Sequence, residues 1–410
     1  MSNAPLLSFS EAKNLILQTT SSINYQQIES IKLFDAVNRV TAESVISPMN
    51  IPSFDNSAMD GYLIRETDLK NCHSLTIAES IFAGQKQFTH WPEKSCLRIM
   101  TGAPVPEGAY AVIMQENVEK KANTISFDAT KIKAGQNIRY VGESVRAGCE
   151  IFPAGEKLTI AKLTTLATLG LDKITVYKPI KVAIFSTGDE LTPIGEQLPS
   201  ISSIYDSNRF TVHLMLKALG CEVIDFGIIK DDLDLISNTL KQASKEADIV
   251  VTSGGVSVGD ADYTKMALAE IGEINFWKIA MKPGKPFAFG KINNALFCGL
   301  PGNPVSTFVT FYQLVRPLIL ALYQQDSNSH TLNLKTVSNL KKSVGRLDFQ
   351  RGYVHANKDG ELVVSSTGEQ GSHITSSFNQ ANCFIVLESE RGNVTSGELV
   401  TVEIFDSFLL

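Results

Sequence analysis

Two glycine-rich segments with acidic neighbours each follow a short apolar run in the second half of the sequence. Residues 187–190 (TGDE) come directly after KVAIFS, and residues 254–259 (GGVSVG), with Asp260 and Asp262 behind them, come after DIVVTS. Glycines let backbone N–H groups close around an anion, and a following helix N-terminus adds a favourable dipole. Carboxylates would repel a phosphate there unless Mg²⁺ lay between them. The pattern predicts a phosphate and Mg²⁺ site; turn glycines and helix-capping aspartates are the alternative.

These two segments also exclude two common nucleotide folds. Neither contains G-x-x-x-x-G-K-[ST], the signature of P-loop NTPases. Neither contains G-x-G-x-x-G, which argues against a dinucleotide-binding fold.

A stiff cationic segment and a second rigid turn lie further along the chain. In residues 281–286 (MKPGKP), two lysines flank a glycine and two prolines restrict the backbone. Cations that are held rigidly lose less entropy when an anion binds. Residues 300–306 (LPGNPVS) supply a further rigid helix start. Together the two segments favour an oxyanion or phosphate site over the alternative, a solvated lysine turn.

Other polar residues carry little signal by themselves. Residues 54–61 (FDNSAMDG) and 101–104 (TGAP) have the composition of ordinary turns. The six histidines show no metal-ligand spacing and are expected to be structural, and no Ser-His-Asp arrangement is evident. Arg351 and Ser372 do not stand out by spacing.

Composition narrows the class of protein. The chain has 410 residues, 43% hydrophobic and 20% charged, with a formal net charge of −6. This is a globular composition without a global field for nucleic acid or anionic membranes. The six cysteines lie far apart, the N-terminus does not read as a signal peptide, and the apolar segment 308–323 is interrupted by polar residues and a proline. We therefore expect a cytoplasmic protein that binds neither nucleic acid nor membrane.

The elements that must position these residues alternate along the chain. A Ser8/Glu11 capping box predicts a helix over 8–22, and a β-rich insert follows over about 45–150. A helix over 158–169 ends at Gly170. Apolar runs separated by helices near 208–219, 232–246 and 262–271 then predict a doubly wound, mostly parallel α/β sheet.

The end of the chain completes the expected architecture. Asn303 and Pro304 predict the start of a helix over 304–323, and Asp359-Gly360 predicts a hairpin turn in a second β-rich piece. We expect a multidomain α/β plus β protein with four parts, which are a discontinuous linking domain (5–45 and 147–178), a β-rich insert (46–146), an α/β domain (179–326) and a β-barrel-like C-terminal domain (330–408).

An ordered set of strings resembles the molybdopterin molybdenumtransferase family, which includes bacterial MoeA proteins and the E domain of gephyrin. The strings are FDNSAMDGY, IMTGAPVPEGA, STGDEL, YDSN, SGGVSVGDADYTK, MKPGKPFAFG, LPGNPVS, FQRG and ANCFIVL. They cover the chain in order from about residue 5 to 405. No single string would suffice, but the ordered set is highly specific.

The resemblance implies the last step of molybdenum cofactor assembly. Molybdate joins the dithiolene sulfurs of adenylylated molybdopterin, and AMP is released with Mg²⁺ participating. The resemblance also implies a homodimer whose sites combine the α/β domain of one subunit with the β-rich insert of the other. Molybdopterin adenylyltransferase and molybdoenzyme chaperones are possible partners.

Site residues follow from the resemblance position by position. The molybdate pocket would contain Lys282, Lys285, Ser306, Arg351 and Ser372. Pterin-nucleotide contacts would come from Asp189, Gly254, Gly255, Ser257, Gly259, Pro301, Gly302, Asn303 and Pro304. Glu190, Asp260 and Asp262 would organise Mg²⁺ and water. Asp60 and Thr101 would approach from the partner subunit, and Lys278 would pair with the diphosphate.

One position departs from the family pattern. Ser144 occupies a site that is commonly acidic, which leaves open whether the neighbouring Glu143 substitutes or the protein is a slower paralogue. Two other functions compete with metal insertion. Adenylyl transfer to molybdopterin would need only the α/β domain, and a non-catalytic scaffold would not need the lysines and Asp262 that are present.

Overall fold

The computed structural model describes residues 6–21, 23, 25, 27–71, 74–84, 91–255, 263–406 and 409. The predicted site residues Ser257, Gly259, Asp260 and Asp262 lie outside these ranges. The chain divides into two compact units. The first unit takes in the described residues of Met1–Glu29, Asn38–Val40 and Val176–Leu410, and the second unit takes in those of Ser30–Val37 and Thr41–Thr175.

The helices in the described residues are α1 (Phe9–Ser21), α2 (Glu66–Asn71), α3 (Ile160–Thr168), α4 (Ser207–Ala218), α5 (Leu233–Glu246), α6 (Tyr263–Ile271), α7 (Pro304–Thr310) and α8 (Arg316–Leu322). The strands of the first half of the chain are β1 (Ile28–Lys32), β2 (Val45–Ile46), β3 (Asn56–Ser57), β4 (Gly61–Ile64), β5 (Ser74–Ile81), β6 (Ser95–Ile99), β7 (Ala111–Met114), β8 (Glu119–Lys121), β9 (Thr124–Ser126), β10 (Ile138–Arg139), β11 (Glu150–Phe152) and β12 (Lys173–Tyr177).

The remaining strands are β13 (Lys181–Thr187), β14 (Leu191–Thr192), β15 (Ile204–Tyr205), β16 (Glu222–Ile229), β17 (Ile249–Ser253), β18 (Gly272–Lys278), β19 (Met281–Lys282), β20 (Pro286–Ile292), β21 (Ala295–Leu300), β22 (Thr331–Thr336), β23 (Leu347–Ala356), β24 (Leu362–Ser366), β25 (Cys383–Leu387) and β26 (Leu399–Ile404).

The first unit contains the predicted α/β sheet, in the order β16-β13-β17-β21-β20-β18. The pairings from β16 to β21 are parallel, and α5 and α6 pack their apolar side chains on one face while α4 lies on the other. Helices on both faces of a mostly parallel sheet confirm the doubly wound class.

The sheet differs from expectation at one edge. The run EINFWKI reads as another buried parallel strand, and β18 does run in the direction of β21, but it is an edge strand that pairs antiparallel with β20. The cause is a hairpin that the apolar pattern did not reveal. Strands β20 and β21 pair antiparallel across the two residues 293–294, where Asn293 adopts a φ of 53°.

The predicted long helix is present as α7, a π-helical segment (Phe311–Val315) and α8. Asn303 stands at its N-cap position with Pro304 behind it, but the Asn303 side chain makes no capping hydrogen bond. The Pro304–Leu322 helix is long and apolar enough to cross a membrane, although 83% of the apolar window is buried within the structure. Helices buried in the cores of soluble proteins can be equally long and apolar.

A closed barrel forms the C-terminal part of the first unit. Strands β23, β24, β22, β26 and β25 pair in that order, and β25 pairs again with β23. Its interior holds a cluster that includes Val364, Ile385 and Val402. Gly360, with a φ of 83°, lies between β23 and β24 where the hairpin turn is predicted. The barrel-like expectation is confirmed.

The second unit is built on a mixed six-stranded sheet in the order β7-β4-β6-β5-β9-β8. One face packs a cluster that includes Tyr62 and Ile113, and the other packs Leu63 and Val112. Gly61 permits close packing inside this sheet, since a Cβ there would lie 2.1 Å from the Ile113 carbonyl oxygen. Helix α3 begins at its Thr159 cap, and Gly170 follows it with a φ of 74°.

Candidate active site

Three neighbouring parallel strands of the α/β sheet end at one edge. Strands β13, β17 and β21 end at Thr187, Ser253 and Leu300. The predicted glycine-containing turns follow these residues directly. Ligands of open α/β sheets bind outside the carboxyl ends of the strands, particularly where the topology switches direction. The structure therefore brings the three segments together at a position suited to a ligand.

Close backbone approach explains the glycines at this sheet edge. Gly254 has a φ of 90°, and an added Cβ would lie 2.8 Å from the Thr187 carbonyl oxygen. At Gly255, with a φ of 67°, an added Cβ would lie 2.1 Å from Thr264 Oγ1. A Cβ at Gly302 would come within 4.0 Å of the Gly254 Cα. Any side chain at the first two positions would displace a neighbouring segment.

Buried acceptors without donors lie along the same edge. Asn208 Nδ2 donates to the Gly302 carbonyl at 2.7 Å, but Asn208 Oδ1 has no partner among the described residues. The same holds for Asn303 Oδ1, Thr252 Oγ1 and Thr264 Oγ1. Unpaired buried polar atoms are costly, so they indicate hydrogen bonds to a ligand, water or residues beyond the described ranges.

Carboxylates gather beside the first of these turns. Asp189 and Glu190 are exposed, and Asp189 accepts a hydrogen bond from the Asp231 backbone N–H at 3.3 Å. The pKa of Asp231 is raised, chiefly by burial and further by the charges of Asp189 and Glu190. This local excess of negative charge fits a divalent cation that shares one or two carboxylates with phosphate oxygens. Within the described ranges, however, no three acidic, histidine or cysteine side chains converge on one point.

A cationic cavity of about 900 Å³ lies in the first unit beside α7. Its walls come from residues 282–286, from Ser306, and from the barrel segments 339–350 and 366–374. The charged side chains on its walls are Lys282, Lys285, Lys341, Arg346 and Glu369, together with His373. Four cations against one carboxylate give the cavity an excess of positive charge, which suits an anion.

The backbone around the cavity is tightly assembled. Gly284 has a φ of 102°, and an added Cβ would lie 2.3 Å from Thr310 Oγ1 on α7. The Val305 backbone N–H, in the first turn of α7, donates to the Ser372 carbonyl at 3.3 Å. Helix α7 thus has its first turn at the sheet edge and Ser306, 7% exposed, in the cavity wall.

Two predicted residues stand apart from the cavity lining. Arg351 is 1% exposed; it donates to Ser377 Oγ at 2.9 Å and to the Gly371 carbonyl at 3.1 Å, so its guanidinium braces the loop that carries Ser372. Burial lowers the pKa of Arg351 to about 10. Lys278 is exposed at the end of β18 and does not line the cavity.

Sequence reasoning missed part of this cavity. Lys341 and Arg346 lie in the segment KKSVGR, whose cationic character is visible in the sequence but which has no motif. His373, which was expected to be structural, also lines the cavity. Only the folding of the barrel next to α7 brings these side chains near Lys282.

Two further predicted site residues, Asp60 and Thr101, lie in the second unit. Thr101 donates to Asp60 Oδ1 from both its backbone N–H and its hydroxyl, each at 2.7 Å. These hydrogen bonds, with a smaller contribution from Arg98, hold the pKa of the Asp60 carboxyl below its usual value. The Gly102 N–H donates to the Ser57 carbonyl at 2.8 Å. The two turn-like segments therefore form one ordered loop pair that presents an ionised carboxylate.

The segment with the unusual serine lies in the same unit. The Ser144 N–H donates to the Ile51 carbonyl at 3.0 Å, and its side chain is exposed. Glu143 accepts a hydrogen bond from the Tyr140 N–H at 2.9 Å, so its carboxylate closes its own turn.

Family models match almost the whole chain. They are the MoeA N-terminal region (domain I and II) over residues 7–170, a probable molybdopterin binding domain over 183–321, and the MoeA C-terminal region (domain IV) over 333–405. A Haemophilus influenzae protein named molybdopterin molybdenumtransferase is 52% identical over 93% of this chain and 95% of its own length. The chain belongs to the molybdopterin molybdenumtransferase family.

Other members and structures agree with this assignment. A Nostoc molybdopterin molybdenumtransferase is 37% identical over 97% of this chain and 94% of its own length. The crystal structure of a molybdopterin biosynthesis MoeA protein from Pyrococcus horikoshii matches with a TM-score of 0.85 and 27% identity, over 98% of this chain and 100% of that chain. The transferase family predicted from the ordered strings is confirmed, as is its multidomain fold.

Proposed function

We propose that this protein inserts molybdate into adenylylated molybdopterin and releases AMP in an Mg²⁺-dependent reaction. The observation that carries the proposal is the arrangement around α7, with an anion cavity on one side of the helix and a glycine-lined sheet edge at its first turn. A reaction that joins an oxyanion to a pterin nucleotide needs both kinds of site next to each other.

Molybdate is the substrate proposed for the cavity. It is a tetrahedral dianion whose four oxygens accept hydrogen bonds, and it suits lysine ammonium groups and hydroxyl donors. Lys282, Lys285, Ser306 and Ser372 provide these groups in the cavity lining. The sulfur ligands belong to the pterin, so the reaction needs no cysteine of this chain. Burial raises the pKa of the Cys96, Cys221 and Cys383 thiols to about 12, which agrees with an inert role for them.

The pterin nucleotide is assigned to the sheet edge. Its phosphates would lie against the 254–255 turn and the first turn of α7, and its donor groups would meet Asn208 and Asn303. Mg²⁺, when bound, would neutralise phosphate charge. Glu190, Asp260 and Asp262 would be its ligands. We propose that Lys278 pairs with the diphosphate.

We further propose that Asp60 and Thr101 act in the site of a second subunit of a cytoplasmic homodimer. Mixing subunits tests this. Asp60→Asn and Asp262→Ala homodimers should both be inactive, whereas a 1:1 mixture allowed to exchange should recover about a quarter of wild-type turnover. No recovery in a mixture that mass spectrometry shows to contain heterodimers would place all these residues in one subunit's site.

The deciding experiment measures AMP release from adenylylated molybdopterin by the purified protein in Mg²⁺. Release that depends on molybdate and produces metal-bound cofactor would support the proposed reaction. AMP-forming activity without any molybdate dependence, or tight retention of the nucleotide without release, would contradict it. Asp262→Ala should abolish release while leaving the thermal unfolding profile unchanged.

A further inference from the structure

A buried carboxylate stands directly behind the cationic cavity. Asp348 is 3% exposed and lies on β23, opposite Lys282 in the parallel pairing of β19 with β23. Its Oδ2 atom is 3.5 Å from Lys282 Nζ and accepts a hydrogen bond from Gln350 Nε2 at 3.1 Å. The Asp348 carboxylate therefore faces the cavity lysine from the protein side.

Asp348 is also close to cations that do not line the cavity. Lys342 is 6% exposed, and its ammonium donates to the Ser343 carbonyl at 2.8 Å. Burial lowers the pKa of Lys342, the charge of Asp348 opposes that shift, and Lys282 and Arg346 reinforce it. Asp348 acts in the same direction on the buried Arg351. One carboxylate thus serves several cations, of which Lys282 faces the oxyanion.

We infer that Asp348 is a charge-balancing residue that limits how tightly the cavity holds its oxyanion, so that the anion can be passed on to the acceptor. This inference rests on the proposed function, because it assumes that molybdate enters this cavity. Two effects of Asp348 oppose each other. Its ion pair positions Lys282, but that side chain is 43% exposed, and ion pairs of that kind contribute little. Its negative charge weakens the field on a dianion, and this effect is larger in a partly buried site.

The test compares variants that change charge with little change of shape. Asp348→Asn should lower the KM for molybdate and its Kd by roughly tenfold and lower kcat, because the oxyanion leaves more slowly. Lys342→Met removes a cation behind the cavity and should raise the Kd for molybdate. The double variant Asp348→Asn/Lys342→Met restores the charge balance and should return the Kd to near the wild-type value.

Controls separate this inference from a structural role. Asp359→Asn makes the same chemical change at an exposed hairpin turn of the same barrel and should leave the Kd unchanged. If Asp348→Asn does not fold, the comparison of Lys342→Met with the double variant still tests the inference, since the double variant removes one buried cation together with the buried carboxylate. A raised Kd in Asp348→Asn, or a double variant no closer to wild type than Lys342→Met, would overturn the inference.

Molybdate binding to the purified protein can be measured by calorimetry without any pterin. This measurement separates failure of the proposed reaction from failure of the inference about Asp348. If wild-type protein binds molybdate but shows no AMP release, the proposed reaction fails and the charge effects can still be tested. If wild-type protein releases AMP and the Kd does not respond to Asp348→Asn, the inference alone fails.

Discussion

The sheet edge and the cationic cavity recognise anions by opposite means. At the sheet edge, Gly254 and Gly255 bring backbone segments together so closely that a Cβ has no space. In the cavity, lysine and arginine side chains reach in from β19 and from barrel loops, and Lys285 and Lys341 are exposed. The first site is defined by shape and unpaired polar atoms, and the second is defined by charge. A substrate with a fixed geometry suits the former, and a small exchangeable oxyanion suits the latter.

The largest expected effect tests the role of shape. Gly255→Ala would force a Cβ to 2.1 Å from Thr264 Oγ1 at a φ of 67°. We expect a loss of about 2 kcal/mol or more in the free energy of unfolding, and loss of pterin-nucleotide binding. Molybdate binding to the cavity should persist. Thermal unfolding and calorimetry measure these three quantities.

Gly360→Ala is the matched control, since Gly360 has a φ of 83° but nothing lies within 4 Å of its added Cβ. It should cost about 1 kcal/mol and leave nucleotide binding intact. If the two alanine variants behaved alike, crowding at the sheet edge would have no role in recognition.

The next effect tests charge in the cavity. Lys282→Ala should raise the KM for molybdate by roughly 10- to 100-fold, with little change in pterin-nucleotide affinity, because one of the cations is lost while the sheet edge is untouched. Steady-state kinetics over a range of molybdate concentrations measures this. Lys358→Ala, at an exposed position of the barrel hairpin, is the control. An unaltered molybdate response in Lys282→Ala would remove this residue from the oxyanion site.

The two regions were not equally predictable from sequence. The glycine turns could be placed because parallel strands end at the same sheet edge, so a local pattern already implies which segments meet. The cavity depends on contacts between segments that are far apart in the chain, and no rule of spacing relates Lys282 to Arg346 or His373. Resemblance supplied the pocket residues, but only the folded barrel shows that Arg351 braces a loop instead of lining the cavity wall.

Other elements show the same difference between local patterns and contacts of distant segments. The Ser8–Glu11 capping box forms as predicted, with Glu11 accepting from the Ser8 N–H at 3.0 Å, because it is local. The antiparallel strand β20 was missed because its place between β18 and β21 depends on the hairpin at residues 293–294. Periodicity identifies a buried strand but carries no information on its direction.

In the second unit, a smaller effect tests whether hydrogen-bond geometry sets the state of Asp60. Thr101→Val removes the hydroxyl donor but keeps the backbone N–H. The pKa of Asp60 should rise part of the way to its usual value, because one of the two hydrogen bonds that lower it is lost. Because the folded-state pKa is depressed, the stabilisation from this carboxylate is present above its unfolded pKa and is lost as the pH falls through the folded pKa. Carboxyl NMR titration measures the shift, and Thr101→Ser should restore the wild-type value. An identical titration curve in Thr101→Val would assign the shift to the backbone alone.

The smallest effect tests charge in the second unit. Ser144 is exposed, and its backbone N–H is fixed to Ile51, so an aspartate fits there without rearrangement. Glu143 closes its own turn, which argues against its replacing the acidic residue that the resemblance led us to expect at position 144. Ser144→Asp should therefore increase turnover a few-fold if charge is what this segment lacks. Ser144→Asn, of equal size and without charge, should not. If both variants matched the wild type in AMP release at saturating molybdate, this loop would contribute through shape, as the sheet edge does. The contrast between shape and charge would then not extend to the second unit.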